Sequence, residues 1–454
     1  MTDVPRPIAD AEHLPPEALR AAQQERFARQ IAYVSASSEF YQTLWGPQTP
    51  RGAKTPPIRL EALVELPLTD KEALRADQAA HPPFGSYLAA APDQVSRVHR
   101  TGGTSGHGMN LALSATDAAT TATIGARAQA ASGLGPGHRV IHCLSYQLWM
   151  GGYTDHATLE ATGATVIPYG VGDTERLVET IRELRVTAIS CTPSYPAVIE
   201  QVLAESFPAL RPRDLGLRLG LFGGEAGLDN PAFRERLENT WGFKARNANY
   251  GVTDAFCNFA GQTEVDTDLH YFAADVMYPE IVTPDDGEPV AWTEGATGEL
   301  VLTHLVRECQ PLVRFRTGDI VTITGTGMAP CGRTTPRFRV IGRVDDMVVI
   351  RGLNVFPTAI AGIVNRVSDL SGEYRIVLRG PAPYDRLPLE VELAPGTTAG
   401  DDIAETLART IKRELGVTAH VQTLPARTLP RTAHKTQRVF REDQRAFPIE
   451  EPSP

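Results

Sequence analysis

The chain has 454 residues, 42% of them hydrophobic and 22% charged, which describes a globular protein of two or three structural units rather than a disordered or repetitive one. A formal charge of −10 argues against nucleic acid or an anionic membrane as a general partner. There is no signal-peptide core in MTDVPRPIADAEHLPPEALR and no apolar run near the roughly 18 residues of a membrane span; the five cysteines are widely spaced, so a soluble, cytoplasmic protein with reduced thiols is expected.

Taken in chain order, residues Pro15–Thr43 carry Leu19, Phe27, Ile31 and Val34 at helical spacing and predict one helix. A proline-punctuated connector, Pro56–Pro67, leads to a short helix whose cap is Thr69 or Asp70. Strands are then predicted at Arg139–Leu144, Thr165–Pro168, Thr187–Cys191 and Leu217–Phe222. Helices are predicted at Asp117–Ala131, Thr154–Thr162, Asp173–Leu184 and Tyr195–Glu205. Continuous apolar strands alternating with helices indicate an α/β fold with largely parallel strands. Beyond Tyr250 the segments His270–Val282, Gly298–His304 and Asp319–Thr324 read as a β-rich subdomain. From Asp345 a smaller α+β unit follows: Met347–Arg351, a helix from Pro357, Tyr374–Leu378, Leu389–Leu393, the helix Asp401–Leu415 and Ala419–Thr423.

The chemistry-bearing motifs are ordered. Arg100–Gly108 reads RTGGTSGHG, small residues that let backbone N–H groups approach a phosphate, without the Gly-Lys-Ser/Thr ending of a Walker loop. It is followed by FGGEAG at Phe222–Gly227, NYGVTD at Asn249–Asp254, RFRTGD at Arg314–Asp319, GRVDDMVVIRGLNVFP at Gly342–Pro357 and LPRTAHKTQR at Leu429–Arg438. In this order and spacing they resemble the adenylate-forming superfamily of acyl-CoA synthetases, peptide-synthetase adenylation domains and luciferases. Within it, LPLTDKEALRA at Leu66–Ala76, HPPFG at His81–Gly85 and RGLNVFPTAI at Arg351–Ile360 are most similar to phenylacetate–CoA ligases.

The resemblance implies a large N-terminal domain, residues 1–344, and a small mobile α+β domain, residues 345–454, that turns about Asp345. It implies ATP-dependent activation of a carboxylic acid with release of pyrophosphate, then transfer to coenzyme A. By this likeness Lys435 bridges the acid and the α-phosphate, and Asp254, at a position usually held by Glu, binds Mg²⁺ beside Thr253. Thr101, Gly102, Gly103, Thr104, Ser105 and Gly106 hold the phosphates. Gly224, Glu225, Ala226 and Tyr250 hold adenine, Asp319 the ribose, and Arg343 ribose and phosphate. Tyr146, Trp149, Gly151 and Gly152 line the acid site, with Asp155 and His156 either lining it or capping the next helix. Gly352 and Asn354 border the thiol tunnel. Aromatic walls favour an aryl acid.

Beside Asp254, two further departures stand out: His107 ends the phosphate loop where relatives carry Lys or Arg, and a Cys-x-Cys that several relatives carry is replaced by Met328-Ala329-Pro330-Cys331-Gly332-Arg333. Cys257, His270, Cys309 and Cys331 are four ligand types in the wrong spacing, so zinc is not expected. Small-molecule partners are expected, with a homodimer common among such relatives. The alternatives are another acceptor or substrate (a carrier protein, an amine, nitrite in diazotisation) and a non-catalytic nucleotide- or acyl-binding homologue.

Overall fold

The computed structural model describes residues 5–46, 59–101, 108–225, 227–351, 353–380, 384–397, 401–430 and 437–441. The chain divides into two compact units, residues 1–229 with 236–340, and residues 230–235 with 341–454.

In the first unit the single helix expected at Pro15–Thr43 is two, α1 (Pro16–Ser37) and α2 (Glu39–Trp45). Ser38 separates them: its backbone is extended and its hydroxyl accepts from the Tyr41 N–H, which restarts the helix. Phe27, Ile31 and Val34 of α1 are fully buried in one core with Phe272, Leu300 and Leu302 of the β-rich region. Burial of side chains this size is worth roughly 1.5–3 kcal/mol each. Helix α3 (Lys71–Ala80) is capped by Asp70, whose carboxylate accepts from the Ala73 N–H at 2.8 Å. Strands β1 (Arg97–Arg100) and β2 (Asn110–Leu113) pair antiparallel.

The α/β region follows as α4 (Ala115–Ala131), β3 (Arg139–His142), α5 (Met150–Glu160), β4 (Thr165–Pro168), α6 (Thr174–Glu183), β5 (Ala188–Cys191), α7 (Tyr195–Ser206), β6 (Leu219–Gly223), α8 (Pro231–Trp241) and β7 (Lys244–Asn249). The five strands form a parallel sheet in the order β4-β3-β5-β6-β7. Strand β7, KARNAN, carries no continuous apolar run and was not expected; it lies at the sheet edge and buries only its alanines, Ala245 and Ala248, fully. Helix α5 starts at Met150 rather than at Thr154. Glycine is a poor helix former, so periodicity discounts Gly151 and Gly152. Packing requires them: a Cβ on Gly152 would lie 2.1 Å from the Ser145 carbonyl oxygen.

The β-rich region contains β8 (Ala260–Gly261), β9 (Leu269–Tyr271), β10 (Met277–Val282), β11 (Pro289–Val290), β12 (Thr297–His304), β13 (Phe315–Gly325) and β14 (Arg337–Arg343), ordered β11-β10-β12-β13-β14-β9-β8. The strand expected at His270–Val282 is broken by a turn in which the N–H groups of Val276 and Met277 both donate to Ala273 O. Buried Asp275 anchors that turn, accepting from Arg127 Nη1 and from the Ile8 N–H at 2.7 Å each.

The second unit holds a hairpin, β15 (Val348–Ile350) with β16 (Leu353–Val355), then α9 (Pro357–Val364), β17 (Leu370–Leu378), β18 (Leu387–Leu393), α10 (Asp401–Leu415), β19 (Ala419–Leu424) and β20 (Val439–Arg441). Its sheet runs β19-β18-β17-β20, with β17 and β18 antiparallel and both outer pairs parallel. Ile360, Ile376, Leu389, Val391, Leu407 and Ile411 build a core of its own. The architecture is the expected mixed α/β one with a β-rich region and a C-terminal α+β unit. None of the described helices is long and apolar enough to cross a membrane.

Candidate functional site

The segment leaving β7 carries the NYGVTD motif and folds back on itself. The Tyr250 N–H donates to Ala260 O at 2.9 Å, and the N–H of Ala260 returns to Tyr250 O at 3.0 Å. Inside this loop the Ala255 N–H donates to Val252 O at 2.9 Å, a turn that puts Thr253 and Asp254 at its tip. Gly251 is needed for closure, because a Cβ there would sit 1.8 Å from the Cys257 carbonyl oxygen.

The Tyr250 hydroxyl donates to Asp319 Oδ2 at 2.8 Å. These two residues come from the NYGVTD and RFRTGD motifs, and the bond brings the expected adenine and ribose groups side by side. Phe259 and Phe338 brace the Tyr250 ring edge-on, with centroids 5.3 and 5.5 Å away. Asp319 is buried on β13, its N–H donating to Thr317 Oγ1. Gly224 lies just past the end of β6 in the left-handed region, and Glu225 accepts from the Ser194 N–H at 3.2 Å. Ala226 lies outside the described residues.

Asp254 is buried and its Oδ2 receives the Lys71 ammonium at 2.8 Å. The sequence places Lys71 at the start of a short helix and in a family phrase, and does not identify its partner. A signal was present: Lys71 is the first residue of α3, where the positive end of the helix dipole disfavours a cation unless an anion meets it. Asp254 Oδ1 is buried with no hydrogen-bond partner. One open carboxylate oxygen suits Mg²⁺, which takes one or two protein carboxylates and completes its shell with phosphates and water. Among the described residues no group of three or more His, Cys, Asp or Glu side chains is placed to hold a metal ion. Cys257 packs with Leu111 and Met150, and Cys309 with Ala90 and Ala112, in separate clusters.

On either side of residues 102–107 the chain is tied together: the Thr101 N–H donates to Met109 O, and the Met109 N–H to Thr101 Oγ1, both at 2.9 Å. Gly102, Gly103, Thr104, Ser105, Gly106 and His107 themselves lie outside the described residues, as do Gly352 and Lys435. In the second unit Arg343 Nε donates to Asp345 Oδ1 at 2.9 Å, and Asn354 is exposed on the β15–β16 hairpin.

The segment expected to line the acid site is held by two histidines. His142 is fully buried; its Nε2 faces the carbonyls of Gly151 and Gly152 at 3.0 Å each, and its Nδ1 faces Ser190 Oγ at 3.1 Å. Carbonyls only accept, so Nε2 carries the proton and Ser190 donates to Nδ1. Desolvation pushes the His142 pKa down to about 4, which keeps the ring neutral. His99 on β1 donates from Nδ1 to Leu148 O at 3.2 Å, while its Nε2 meets Thr154 Oγ1 at 2.9 Å. Leu148 has φ +58°, and the Arg100 N–H also donates to its carbonyl at 2.8 Å. The strand entering the phosphate motif thus shares hydrogen bonds with the turn before Trp149. The Trp149 indole covers Gly151: a Cβ there would meet its ring at 2.9 Å, and one on Gly224 would meet the same ring at 3.9 Å. Gly151 therefore admits the indole rather than leaving an empty volume. The hydroxyl of half-buried Tyr146 is hydrogen-bonded to His156 Nδ1 at 2.9 Å, and His156 Nε2 lies 3.2 Å from Glu160 Oε1.

Asp155 does neither of the things considered for it. It sits inside α5, 1% exposed, with Oδ2 accepting from the Asn249 amide and with the Cys257 thiol close by. Burial pushes its pKa up to about 7, against the Cys257 and Asn249 side chains that pull it down. A raised carboxyl pKa means the native state binds the proton more tightly than the unfolded chain. Ionisation therefore costs stability progressively as pH rises from the ordinary carboxylate range to about 7. Asp155→Asn is expected to raise the thermal midpoint more at pH 8 than at pH 5. Scanning calorimetry at the two pH values checks this, and an equal shift at both would contradict it.

Residues 12–304 match the family model described as AMP-binding enzyme, and residues 352–445 the one described as AMP-binding enzyme C-terminal domain. The chain belongs to the AMP-binding enzyme family. This AMP-binding enzyme is 34% identical over 446 residues to a phenylacetate-coenzyme A ligase of Thermus thermophilus, covering 93% of this chain and 96% of that one. It is 33% identical over 387 residues to a phenylacetate-coenzyme A ligase of Pseudomonas putida, covering 84% and 85%. Among solved structures it resembles 2-hydroxyisobutyryl-CoA ligase in complex with 2-HIB-AMP in the postadenylation state, with TM-score 0.87, 29% identity and coverage of 97% and 93%. The same ligase in complex with 2-HIB-AMP and CoA matches with TM-score 0.68, 30% identity and coverage of 96% and 92%.

Proposed function

We propose that this AMP-binding enzyme activates a carboxylic acid, an aryl one, with ATP and passes the acyl group to coenzyme A. In the first step a carboxylate oxygen attacks the α-phosphorus, pyrophosphate leaves and an acyl-adenylate forms. In the second the CoA sulfur attacks the acyl carbon and AMP leaves. The observation that carries the reading is the Tyr250–Asp319 hydrogen bond, which joins the aromatic side chain assigned to adenine and the carboxylate assigned to ribose in a family member. Asp254 and Thr253 lie on the same loop, and Lys71 balances the Asp254 charge. Mg²⁺, held through Asp254, would draw negative charge from the phosphates as the two anions meet. Residues 1–344 bind acid and nucleotide in this scheme. Residues 345–454 bring Lys435 to the first step and, after turning about Asp345, Gly352 and Asn354 to the second.

The aryl preference rests on Trp149 and Tyr146 and on the two phenylacetate-coenzyme A ligases. Pyrophosphate exchange across aryl and aliphatic acids, with and without CoA, tests the assignment. Trp149→Ala should raise KM for a preferred aryl acid about tenfold, from loss of roughly 1–2 kcal/mol of ring contact, and leave KM for ATP near wild type. A preference for medium-chain fatty acids, or no change in acid KM in Trp149→Ala, would refute the aryl pocket. Exchange without thioester formation would point to another acceptor.

A further inference from the structure

We propose that Asp155 is a positioning residue for adenylation: from inside α5 it holds Asn249, at the root of the loop that runs to Cys257 and carries Tyr250, Thr253 and Asp254. The inference rests on assigning that loop to ATP. Asn249 is the last residue of β7 and Cys257 lies on the return of the loop, so a side chain bonded to Asn249, with the Cys257 thiol beside it, fixes where the loop leaves the strand. The backbone there has no slack, because the Cys257 carbonyl occupies the space a Cβ on Gly251 would need, and Asn258 Nδ2 donates back to Ala248 O at 3.3 Å.

Asp155 is an expensive way to fill a helix–loop contact. Its Oδ1 is buried without a hydrogen-bond partner, and an unsatisfied buried oxygen destabilises the fold. Local rules are broken in this way mostly where a site needs the group. Asp155 connects the segment assigned to the acid with the loop assigned to the nucleotide: α5 carries Gly151 and Gly152 in its first turn, and the loop presents the groups assigned to adenine and phosphates.

The test is ATP–pyrophosphate exchange with ATP and acid varied separately, in wild type, Asp155→Asn, Asp155→Ala and Asn249→Ala, with circular dichroism on each. Asp155→Ala should raise KM for ATP about tenfold, the size of one lost charge-assisted hydrogen bond, with KM for the acid within about twofold. Asp155→Asn keeps an oxygen that accepts from Asn249 and should stay within about threefold of wild type. Asn249→Ala should reproduce the ATP-specific loss from the other end of the bond, and it carries the test should Asp155→Ala not fold. Equal losses toward acid and ATP, or folded variants with wild-type KM for ATP, would overturn the positioning role while leaving adenylation intact. A wild type that exchanges no pyrophosphate with any acid would overturn the adenylation assignment, and this inference with it.

Discussion

Lys435→Ala is expected to lower acyl-adenylate formation by roughly a hundred- to a thousandfold, the scale of losing one donor at a developing charge. Thioester formation from a supplied acyl-adenylate should stay within a few-fold of wild type. The first step brings a carboxylate against a phosphate, so a cation bridging both is needed most in that transition state. The second step starts from an acyl-adenylate whose carboxylate charge has been consumed, and its nucleophile is a thiol. A group that acts only in the first transition state lowers the rate of that half-reaction and not of the other. Single-turnover measurements of pyrophosphate release and of CoA thioester formation separate the two. Equal loss in both would mean that Lys435 supports binding throughout, or the fold, rather than adenylation.

Asp319→Ala should weaken ATP binding by about a hundredfold or more. Hydrogen bonds to an ionised partner contribute roughly 1.5–3 kcal/mol each, and tenfold in affinity corresponds to about 1.4 kcal/mol. The substitution also removes the acceptor of the Tyr250 hydroxyl, so part of the loss would come from a less constrained Tyr250 ring, the group proposed to stack on adenine. Tyr250→Phe isolates that part. It keeps the aromatic face and the edge contacts with Phe259 and Phe338, and should cost only about two- to fivefold, because no direct bond to ATP is removed. Isothermal titration of ATP into both variants gives the comparison. Unchanged affinity in Asp319→Ala would remove the residue from the nucleotide site. A Tyr250→Phe loss as large as that of Asp319→Ala would place the energy in the Tyr–Asp bond rather than in the ribose contacts.

Local signals within about a dozen residues carried much of the fold. Apolar runs located β3, β4, β5 and β6, and helical periodicity located α4, α6 and α10 to within a few residues, because these elements depend on their own propensity and pattern. The order of the motifs, from the Gly/Thr-rich RTGGTSGHG to LPRTAHKTQR, pointed to the family that the comparisons then showed. Elements whose local signal was weak or contradictory were missed: β7 lacks an apolar run, Gly151 and Gly152 hid the start of α5, and Ser38 divided a helix whose periodicity ran through it.

What only the tertiary structure decided is which side chains meet. Tyr250 and Asp319 are 69 residues apart, Lys71 and Asp254 are 183 apart, and Asp155 and Asn249 are 94 apart. No local pattern encodes such pairs, since they depend on topology. The parallel order β4-β3-β5-β6-β7 sets where the chain leaves β7 and enters its loop, while the second sheet brings β13, with Asp319, to that loop from another part of the chain. A buried carboxyl such as Asp155 looks in sequence like any polar residue near the start of a helix. Its partners and its raised pKa exist only because helix, strand end and loop close around it and exclude water.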